Sequence, residues 1–502
     1  MMRITTLLSS LLLTTALLAA TGGPDAYGYT WKDSNEPDGP VYSWVDITAF
    51  GTQLTGLADD NVIGPFVMQT NMPFYWYDAK KVWIGSNGYV AFNNVNVASP
   101  FPIIPQAGAP NDYIACMMSD LSFAGLGTPG QCWYYDDVTV TIVSWIDLPF
   151  WQSLAPQWTG ENSFQLILNK VDSTITIQYQ EQSGFTLNTD LLVGIESLTG
   201  DIGLQHSADI YPLSGYAVRF YAPVTPLIDI IDGAVEWDTQ EGSQGLSLKR
   251  FGPPFPLTIN VRNTGSLGIS DFTALGQVYN SIGTLVVSNS YPIDTLPPGI
   301  DTTITFATAF DPVQQGTFRF QGGITGIVGE VVASNNAKDQ ELVVYDTTLA
   351  NQQMKWNGPQ DDLVGIGWDG GGAGVGAQLV PPYYPAYVTA YTIRISSNTT
   401  PSGIALKVFD DDGPGGSVGT LLDSIAVPAA MATAGDHTYP LATPFMITDG
   451  TVYVEWYMMG TFVNIAQDVQ PPFSYRTYEV LAGVWAEYRD RETTDFHLGL
   501  QL

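Results

Sequence analysis

The sequence predicts an all-β protein built of tandem β-sandwiches, and three observations lead to this prediction. The chain contains 51 Gly and 33 Pro among its 502 residues, which is more than average usage. Between these turn formers lie short runs of β-branched and aromatic residues, such as Val82–Phe92 and Thr451–Tyr457. No long stretch repeats its apolar residues with a helical period. Short strands separated by frequent turns are typical of sandwiches, in which two sheets bury their inner faces against each other.

Composition limits the classes of partner. The chain has 17 Lys and Arg against 49 Asp and Glu, for a formal net charge of −32, although charged residues make up only 13% of it. The acidity therefore results from a shortage of bases. Because such a field repels phosphate backbones, nucleic acid is not expected as a partner. Hydrophobic residues make up 45% of the chain, enough for packed cores.

The first 22 residues have the layout of a secretory signal peptide. Arg3 precedes an apolar stretch from Leu7 to Leu18, and small residues follow it. The alternative is a membrane anchor, but the stretch is shorter than the ~20 residues that a spanning helix needs. We expect cleavage after Ala20 or Gly22 and a protein that is secreted or held at the cell surface. No later segment is apolar enough to be a transmembrane helix.

The rest of the chain divides into three predicted modules. The phrase APVTPL around Pro223–Pro226 has the composition of a linker, and a polar stretch at Asp346–Gln353 follows a predicted strand. We expect modules at 23–222, 227–346 and 350–502, each long enough to bury its own core. The predicted architectures are a jelly-roll or lectin-like sandwich, an immunoglobulin-like sandwich and a C-terminal sandwich.

The middle module carries the most recognisable phrases. A strand runs into a turn at Val261-Arg262-Asn263-Thr264-Gly265, a second turn follows at Leu296-Pro297-Pro298-Gly299, and Asn335-Asn336 precedes the last strand. This segment resembles the immunoglobulin-like modules of the CARDB family of bacterial and archaeal surface proteins. The resemblance covers roughly residues 227–345 and implies a spacer or adhesion module without catalysis.

The flanking modules resemble parts of other exported proteins. The first contains a tight turn at Ser86–Gly88 and the strand Ser163–Leu168. It resembles an N-terminal sandwich module of large secreted bacterial proteins and, distantly, nidogen-type extracellular domains. The third contains Asp449–Trp456 and resembles C-terminal sandwich modules of secreted bacterial proteins. These resemblances supply no catalytic residues.

Cys116 and Cys132 are the only cysteines in the sequence. In an oxidising compartment the expected arrangement is one disulfide between them, and the alternative is two buried thiols. Two sulfurs with no histidine nearby do not complete a tetrahedral zinc shell, so we do not predict a metal site here.

Local catalytic motifs are missing from the sequence. Its three histidines are His206, His437 and His497, and neither an H-E-x-x-H nor a G-x-S-x-G sequence occurs. We expect the histidines to have ordinary structural roles. A chance approach of two carboxylates among 49 acidic residues would not by itself indicate a glycosidase.

Two acidic turns are candidate calcium sites, and Ca²⁺ is the only cofactor that the sequence suggests. Asp410, Asp411 and Asp412 precede Gly413, and a second turn contains Asp33, Asn35 and Asp38. Both turns offer the hard oxygen ligands that Ca²⁺ prefers, although neither has the spacing of an EF-hand. The alternatives are a solvated acidic turn in the first case and side-chain capping of the turn in the second.

Trp151 and Trp158 lie in a Pro-containing stretch between two predicted strands, where they could stack on a sugar ring. The alternative is that they pack into the end of a sandwich. We therefore expect a non-catalytic binding or structural protein with an extracellular protein or glycan as partner. Two other hypotheses remain: a carbohydrate-binding accessory protein, and a hydrolase whose site shows no local motif.

Overall fold

The computed structural model describes residues 20–502 except 100, 108–109, 124–129, 153–154, 187–189, 237–243, 357–362, 369–370, 482 and 489–493. Almost all of the predicted signal peptide, residues 1–19, lies outside the described residues. The described chain folds into six β-sheets and contains no α-helix. None of its residues forms a helix of the length and apolarity that crossing a membrane requires. The sheets occur as three successive pairs, which confirms the predicted all-β class of tandem sandwiches.

Fourteen strands form the first pair of sheets. The eight-stranded sheet has the order β1-β2-β14-β11-β10-β9-β8-β3 and the six-stranded sheet the order β13-β12-β7-β6-β5-β4. The strands are β1 (Thr21–Gly22), β2 (Thr30–Asp33), β3 (Thr52–Leu54), β4 (Val62–Phe74), β5 (Tyr77–Gly85), β6 (Tyr89–Ala91), β7 (Tyr113–Ser119), β8 (Gln131–Asp136), β9 (Val140–Trp151), β10 (Trp158–Asn169), β11 (Thr174–Glu181), β12 (Leu191–Glu196), β13 (Gly203–Ala208) and β14 (Tyr216–Tyr221).

Alternation along β10 shows how this sandwich is packed. Phe164, Leu166 and Leu168 are fully buried between the sheets, as expected for one face of a strand. Gln165, on the opposite face, is buried too, because its Nε2 donates to the carbonyl of Val45 at 2.8 Å. The segment around Val45 thus covers part of the outer face of the larger sheet.

Eight strands form the second pair of sheets. The three-stranded sheet has the order β15-β17-β20 and the five-stranded sheet the order β16-β22-β21-β18-β19. The strands are β15 (Gly233–Glu236), β16 (Leu246–Lys249), β17 (Thr258–Asn263), β18 (Ile269–Asn280), β19 (Leu285–Leu296), β20 (Asp301–Thr305), β21 (Gly316–Thr325) and β22 (Ala337–Tyr345). Asn263 has a structural role in the turn that follows β17. Its Nδ2 donates to the carbonyls of Leu267 and Leu296, both at 2.8 Å.

Thirteen strands form the third pair of sheets. One sheet has the order β23-β35-β26-β31-β24, with β29 paired to β26 and β34 to β31; the other has the order β28-β27-β30-β25-β32-β33. The strands are β23 (Gln353–Met354), β24 (Leu363–Ile366), β25 (Ala373–Leu379), β26 (Ala386–Asn398), β27 (Ile404–Asp410), β28 (Leu421–Val427), β29 (Gly435–Ile447), β30 (Val452–Met458), β31 (Val463–Asp468), β32 (Thr477–Leu481), β33 (Val484–Glu487), β34 (Asp495–Phe496) and β35 (Leu498–Gln501).

The junction between the first and second sandwiches is packed. The segment after the predicted linker bonds back to the first sandwich, where the amide of Leu227 donates to the carbonyl of Tyr27 at 2.9 Å. Ile230 is 1% exposed and belongs to the first core. Trp76 Nε1 donates across the junction to the carbonyl of Thr264 at 2.5 Å. The chain between these sandwiches therefore does not behave as a free tether.

The junction between the second and third sandwiches is more deeply buried. Val343 and Tyr345, at the end of β22, pack into the core of the third sandwich. The Gly245 amide donates to the carbonyl of Ser474 at 2.7 Å. Arg476, 7% exposed, returns a hydrogen bond from its Nε to the carbonyl of Gly245 at 2.7 Å. Strand β22 thus contributes Leu342 and Val344 to the second core and Val343 and Tyr345 to the third.

Candidate functional site

The two cysteines are free thiols in the structure, so the predicted disulfide is not shown. Cys116 lies on β7 of the six-stranded sheet and Cys132 on β8 of the eight-stranded sheet, and both are buried in the shared core. Burial raises the pKa of both thiols. The expectation rested on compartment chemistry alone. The structure favours the alternative of two buried thiols that contribute to packing.

The acidic turn at Asp410–Asp412 uses its carboxylates to hold neighbouring backbone. Oδ2 of Asp411 accepts hydrogen bonds from the amide and hydroxyl of Thr451, at 2.6 and 2.9 Å. Asp412 accepts from the amide of Thr420 at 2.6 Å and from its hydroxyl at 2.7 Å. Among the described residues, no group of three or more His, Cys, Asp or Glu is placed to hold a metal ion. The calcium site at Asp410, Asp411 and Asp412 stays a prediction.

The second acidic turn is arranged in a similar way. Asp33 is buried and accepts hydrogen bonds from the hydroxyl of Tyr216 and the amide of Asn35, both at 2.7 Å. Asp38 forms an ion pair with Lys32 at 2.5 Å. These contacts are compatible with the alternative interpretation of a capped turn, and the calcium site at Asp33, Asn35 and Asp38 stays a prediction.

Trp151 and Trp158 lie directly opposite each other at the end of the β9–β10 hairpin. Both side chains are half-buried. Residues directly opposite on antiparallel strands have Cβ atoms about 5 Å apart, so the two indoles are neighbours on the same face. The structure therefore brings the two predicted stacking residues together at the rim of the first sandwich.

Two of the three histidines contact residues of their own module. His206 lies between Ser207 and the hydroxyl of Tyr216, at 3.0 and 3.1 Å, and burial lowers its pKa to about 4. Nε2 of His437 is 2.6 Å from the carbonyl oxygen of Thr433. These contacts agree with the structural roles expected for His206 and His437.

The third histidine lines a cavity of about 300 Å³ on the third sandwich, which we call the β26 cavity. The wall of the β26 cavity contains one lysine, one arginine and two histidines, although the protein has few Lys and Arg residues. The lining residues are Gln353, Lys355, Thr392, Ile393, Arg394, Asp436, His437, Thr438 and His497. This arrangement distinguishes the cavity from the strongly acidic chain around it.

Strand register builds the β26 cavity from four separate parts of the chain. Thr392 on β26 lies opposite Gly499 on β35 and Thr438 on β29. Lys355 follows β23 and continues this row, since Met354 lies opposite Leu500. A Cβ atom on Gly499 would lie 2.8 Å from Cβ of Lys355 and 3.1 Å from Oγ1 of Thr392. The backbone oxygen of Met354 would be closer still, so glycine at this position lets β23, β35 and β26 pack closely against one another.

The charged groups of the β26 cavity lie close enough to influence one another. Nη1 of Arg394 forms an ion pair with Asp436 at 2.8 Å. Lys355 is half-buried and forms no ion pair within the part of the chain that the structure describes. Burial, together with the positive charges of Lys355 and Arg394, lowers the pKa of His497 to about 4. Burial also lowers the pKa of Lys355. The cavity thus has an excess of positive charge.

Sequence reasoning did not identify Lys355, Arg394 or His497 as a group. They are separated by up to 142 positions and share no local motif. The one available signal was the rarity of bases, since the chain has only 17 Lys and Arg. Their proximity depends on the pairing of β23, β35, β26 and β29, which the sequence pattern does not specify.

No family and no curated protein matches the sequence. Among solved structures, the CARDB domain of the PF1109 protein from Pyrococcus furiosus is 16% identical over 23% of this chain and 89% of its own, with a TM-score of 0.18. The secreted serine protease VesC from Vibrio cholerae is 9% identical over 83% and 97%, with a TM-score of 0.22. An exo-β-1,3-galactanase from Phanerochaete chrysosporium is 8% identical over 81% and 98%, with a TM-score of 0.15. Identities and TM-scores this low carry no argument about activity.

Proposed function

We propose that this protein is an extracellular, non-catalytic binding and structural protein whose three sandwiches act as one scaffold. The observation that carries the proposal is the packing of both junctions. Ile230 belongs to the first core although it lies beyond the predicted linker, and Val343 and Tyr345 of β22 belong to the third. Modules joined in this way keep a fixed relative orientation, as a spacer or adhesion protein requires.

Hydrogen bonds also fix the backbone at the junction between the second and third sandwiches. Gln340 Nε2 donates to the carbonyl of Gln244 at 2.8 Å, which places Gly245 against the third sandwich. A Cβ atom on Gly245 would lie 3.0 Å from the ring of Trp356. Buried hydrogen bonds are costly to leave unmade. The second and third modules therefore have one preferred arrangement, which supports a load-bearing or presenting role.

A second candidate function, an accessory protein that binds carbohydrate, is favoured by the pairing of Trp151 with Trp158. Half-buried tryptophans at a sandwich rim offer a flat apolar surface on which a sugar ring can stack, and Nε1 of Trp158 is itself buried. This function is compatible with the scaffold, because the tryptophan pair lies on strands of the first sandwich and takes no part in the junction contacts described above.

Fractionation of cells that produce the full chain tests the scaffold function. We expect the processed protein outside the cytoplasm, and we expect the purified protein to bind isolated cell envelopes or extracellular matrix saturably. Cytoplasmic retention of the unprocessed chain would contradict the proposal. Release of products from casein or common polysaccharides, in amounts proportional to the protein, would instead support the hydrolase alternative.

The carbohydrate alternative needs a separate measurement. A glycan array probed with the wild-type protein and with Trp151→Ala and Trp158→Ala should show signals that both variants lose. Trp133→Ala is the matched control, because Trp133 is a half-buried tryptophan on β8 of the same sheet. Equal signals from all four proteins would remove the tryptophan pair from consideration.

A further inference from the structure

We propose that the β26 cavity binds a single acidic sugar unit, a uronate, holding its carboxylate with Lys355 and Arg394 and its hydroxyl groups with Thr392, Thr438 and Gln353. This inference goes beyond the scaffold function and does not depend on it. It rests on residues of the third sandwich alone.

The cationic side of the cavity is suited to a carboxylate. Lys355 provides a half-buried ammonium group that pairs with no acid of the described chain. Arg394 uses Nη1 for Asp436, and a guanidinium has further N–H groups with which to contact a second carboxylate. His497, His437 and Asp436 also line the cavity. A bound anion would relieve the mutual repulsion of Lys355 and Arg394.

The polar side of the cavity is suited to sugar hydroxyls. Oγ1 of Thr392 is buried and has no hydrogen-bond partner among the described residues. An unpaired buried hydroxyl costs free energy, so a ligand hydroxyl that paired with it would gain free energy on binding. The hydroxyl of Thr438 lies on the same face, because Thr438 is directly opposite Thr392.

The size of the cavity and the net charge of the chain further limit the class of ligand. The cavity of about 300 Å³ lies at the lower end of the ~300–1,000 Å³ range of small-molecule sites. The chain as a whole carries a formal charge of −32, so its long-range field opposes the approach of a polyanion more strongly than that of a monoanion. A single acidic unit therefore fits the site better than a highly charged polymer.

Titration calorimetry with the full chain tests the proposal, using glucuronate and galacturonate as probes. Glucose serves as the neutral comparison and acetate as the comparison without hydroxyl groups. We expect at least one uronate to bind, and to bind about tenfold or more tightly than glucose and acetate, a difference of about 1.4 kcal/mol or more. Equal binding of glucose would overturn the role of the charge. Equal binding of acetate would overturn the sugar assignment, and no binding of either uronate would overturn the proposal.

Variants separate binding from folding. Lys355→Met should weaken uronate binding about tenfold or more, and Lys355→Arg should retain most of it. Lys80→Met is the control, since Lys80 is exposed on the first sandwich. The thermal melting curve of each variant shows whether it is folded. In the wild-type protein, bound uronate should raise the pKa of His497, which NMR titration can follow. Wild-type affinity in folded Lys355→Met, or an unmoved His497 titration, would contradict the proposal.

Discussion

Arg476 and Gly245 form the central contact between the second and third sandwiches, with Nε of the buried arginine 2.7 Å from the glycine carbonyl. The same guanidinium lies over the ring of Trp356, 5.9 Å from its centroid. It also donates through Nη1 to Oε1 of Gln378. One side chain of the third sandwich thus organises backbone, amide and aromatic partners at this junction.

Replacing Arg476 should loosen the junction. Arg476→Met removes the charge-assisted hydrogen bonds and leaves the carbonyl of Gly245 without this donor, for a loss of about 3 kcal/mol of unfolding free energy. We expect denaturant unfolding to show an earlier transition for the second and third modules. Arg319→Met, at a half-buried surface ion pair with Asp339, is the control and should cost less than about 1 kcal/mol. Equal losses in the two variants would contradict a central role for Arg476.

The stability of the same junction should depend on pH through Glu341. This carboxyl is fully buried on β22, neither of its oxygens has a partner among the described residues, and burial and the charges of Asp495 and Asp468 raise its pKa well above the usual value. Burial also raises the pKa of Asp495 to about 7. A raised folded-state pKa contributes stability that is present below the unfolded value and lost as the pH rises. Stability should therefore fall as the pH rises above about 4, through the pKa of about 7 of Asp495.

Glu341→Gln isolates this effect, because the amide keeps the shape of the side chain and cannot ionise. We expect the variant to gain stability relative to the wild type as the pH rises, by up to about 1.4 kcal/mol for each pH unit over which the unfolded chain has lost the Glu341 proton and the folded chain still holds it. Melting curves at pH 5 and pH 8 measure the difference. Glu161→Gln, at an exposed position, serves as the control and should show no such trend. A parallel pH dependence of wild type and Glu341→Gln would refute the prediction.

The two cysteines should be inaccessible and reduced. Burial of Cys116 and Cys132 raises the pKa of both thiols, so neither should react with a thiol reagent in the native protein. After denaturation without a reductant, two thiols per chain should react, and a reductant should leave the melting temperature unchanged. Fewer than two reactive thiols in the denatured protein would show that the disulfide forms.

Processing of the predicted signal peptide should leave Thr21 at the amino terminus. Strand β1 pairs Thr21 with Lys32 and Gly22 with Trp31 at the edge of the first sheet. Cleavage after Ala20 keeps this strand, whereas cleavage after Gly22 removes it. Intact mass of the exported protein distinguishes the two sites. A chain that begins at Gly23 should be less stable, by about 1 kcal/mol for each backbone hydrogen bond lost.

The fold was predictable because strand alternation is a local property. Phe164, Leu166 and Leu168 indicate a half-buried strand from their spacing alone, and the structure buries all three. The outer face was not predictable in the same way. The alternation of apolar and polar residues along β10 predicts that Gln165 faces solvent. In the structure it is covered by the backbone of Val45, which lies 120 positions earlier in the sequence.

The candidate sites were harder to predict, because their chemistry depends on contacts between distant residues. The sequence indicates that Asp411 has oxygen ligands to offer, but not that Thr451, 40 positions later, occupies one of its oxygens. The disulfide prediction rested on the expected compartment, which carries no information on how the fold places Cys116 and Cys132, and the structure holds both as buried free thiols. Conversely, the pairing of Trp151 with Trp158 follows from a hairpin, which is local enough to be anticipated.

The row formed by Lys355, Gly499, Thr392 and Thr438 makes the third sandwich unusually sensitive to insertions and deletions. Because neighbouring residues of a strand point to opposite faces, adding or removing one residue between β34 and β35 would turn Gly499 to the other face. A neighbour's side chain would then meet the Met354 carbonyl, Lys355 and Thr392, which leave no room for it. Such a change would disrupt the cavity although every lining side chain is kept. In homologous chains, constant spacing from β34 to the last residue of β35 should therefore be a better indicator of the cavity than the identity of any one lining residue.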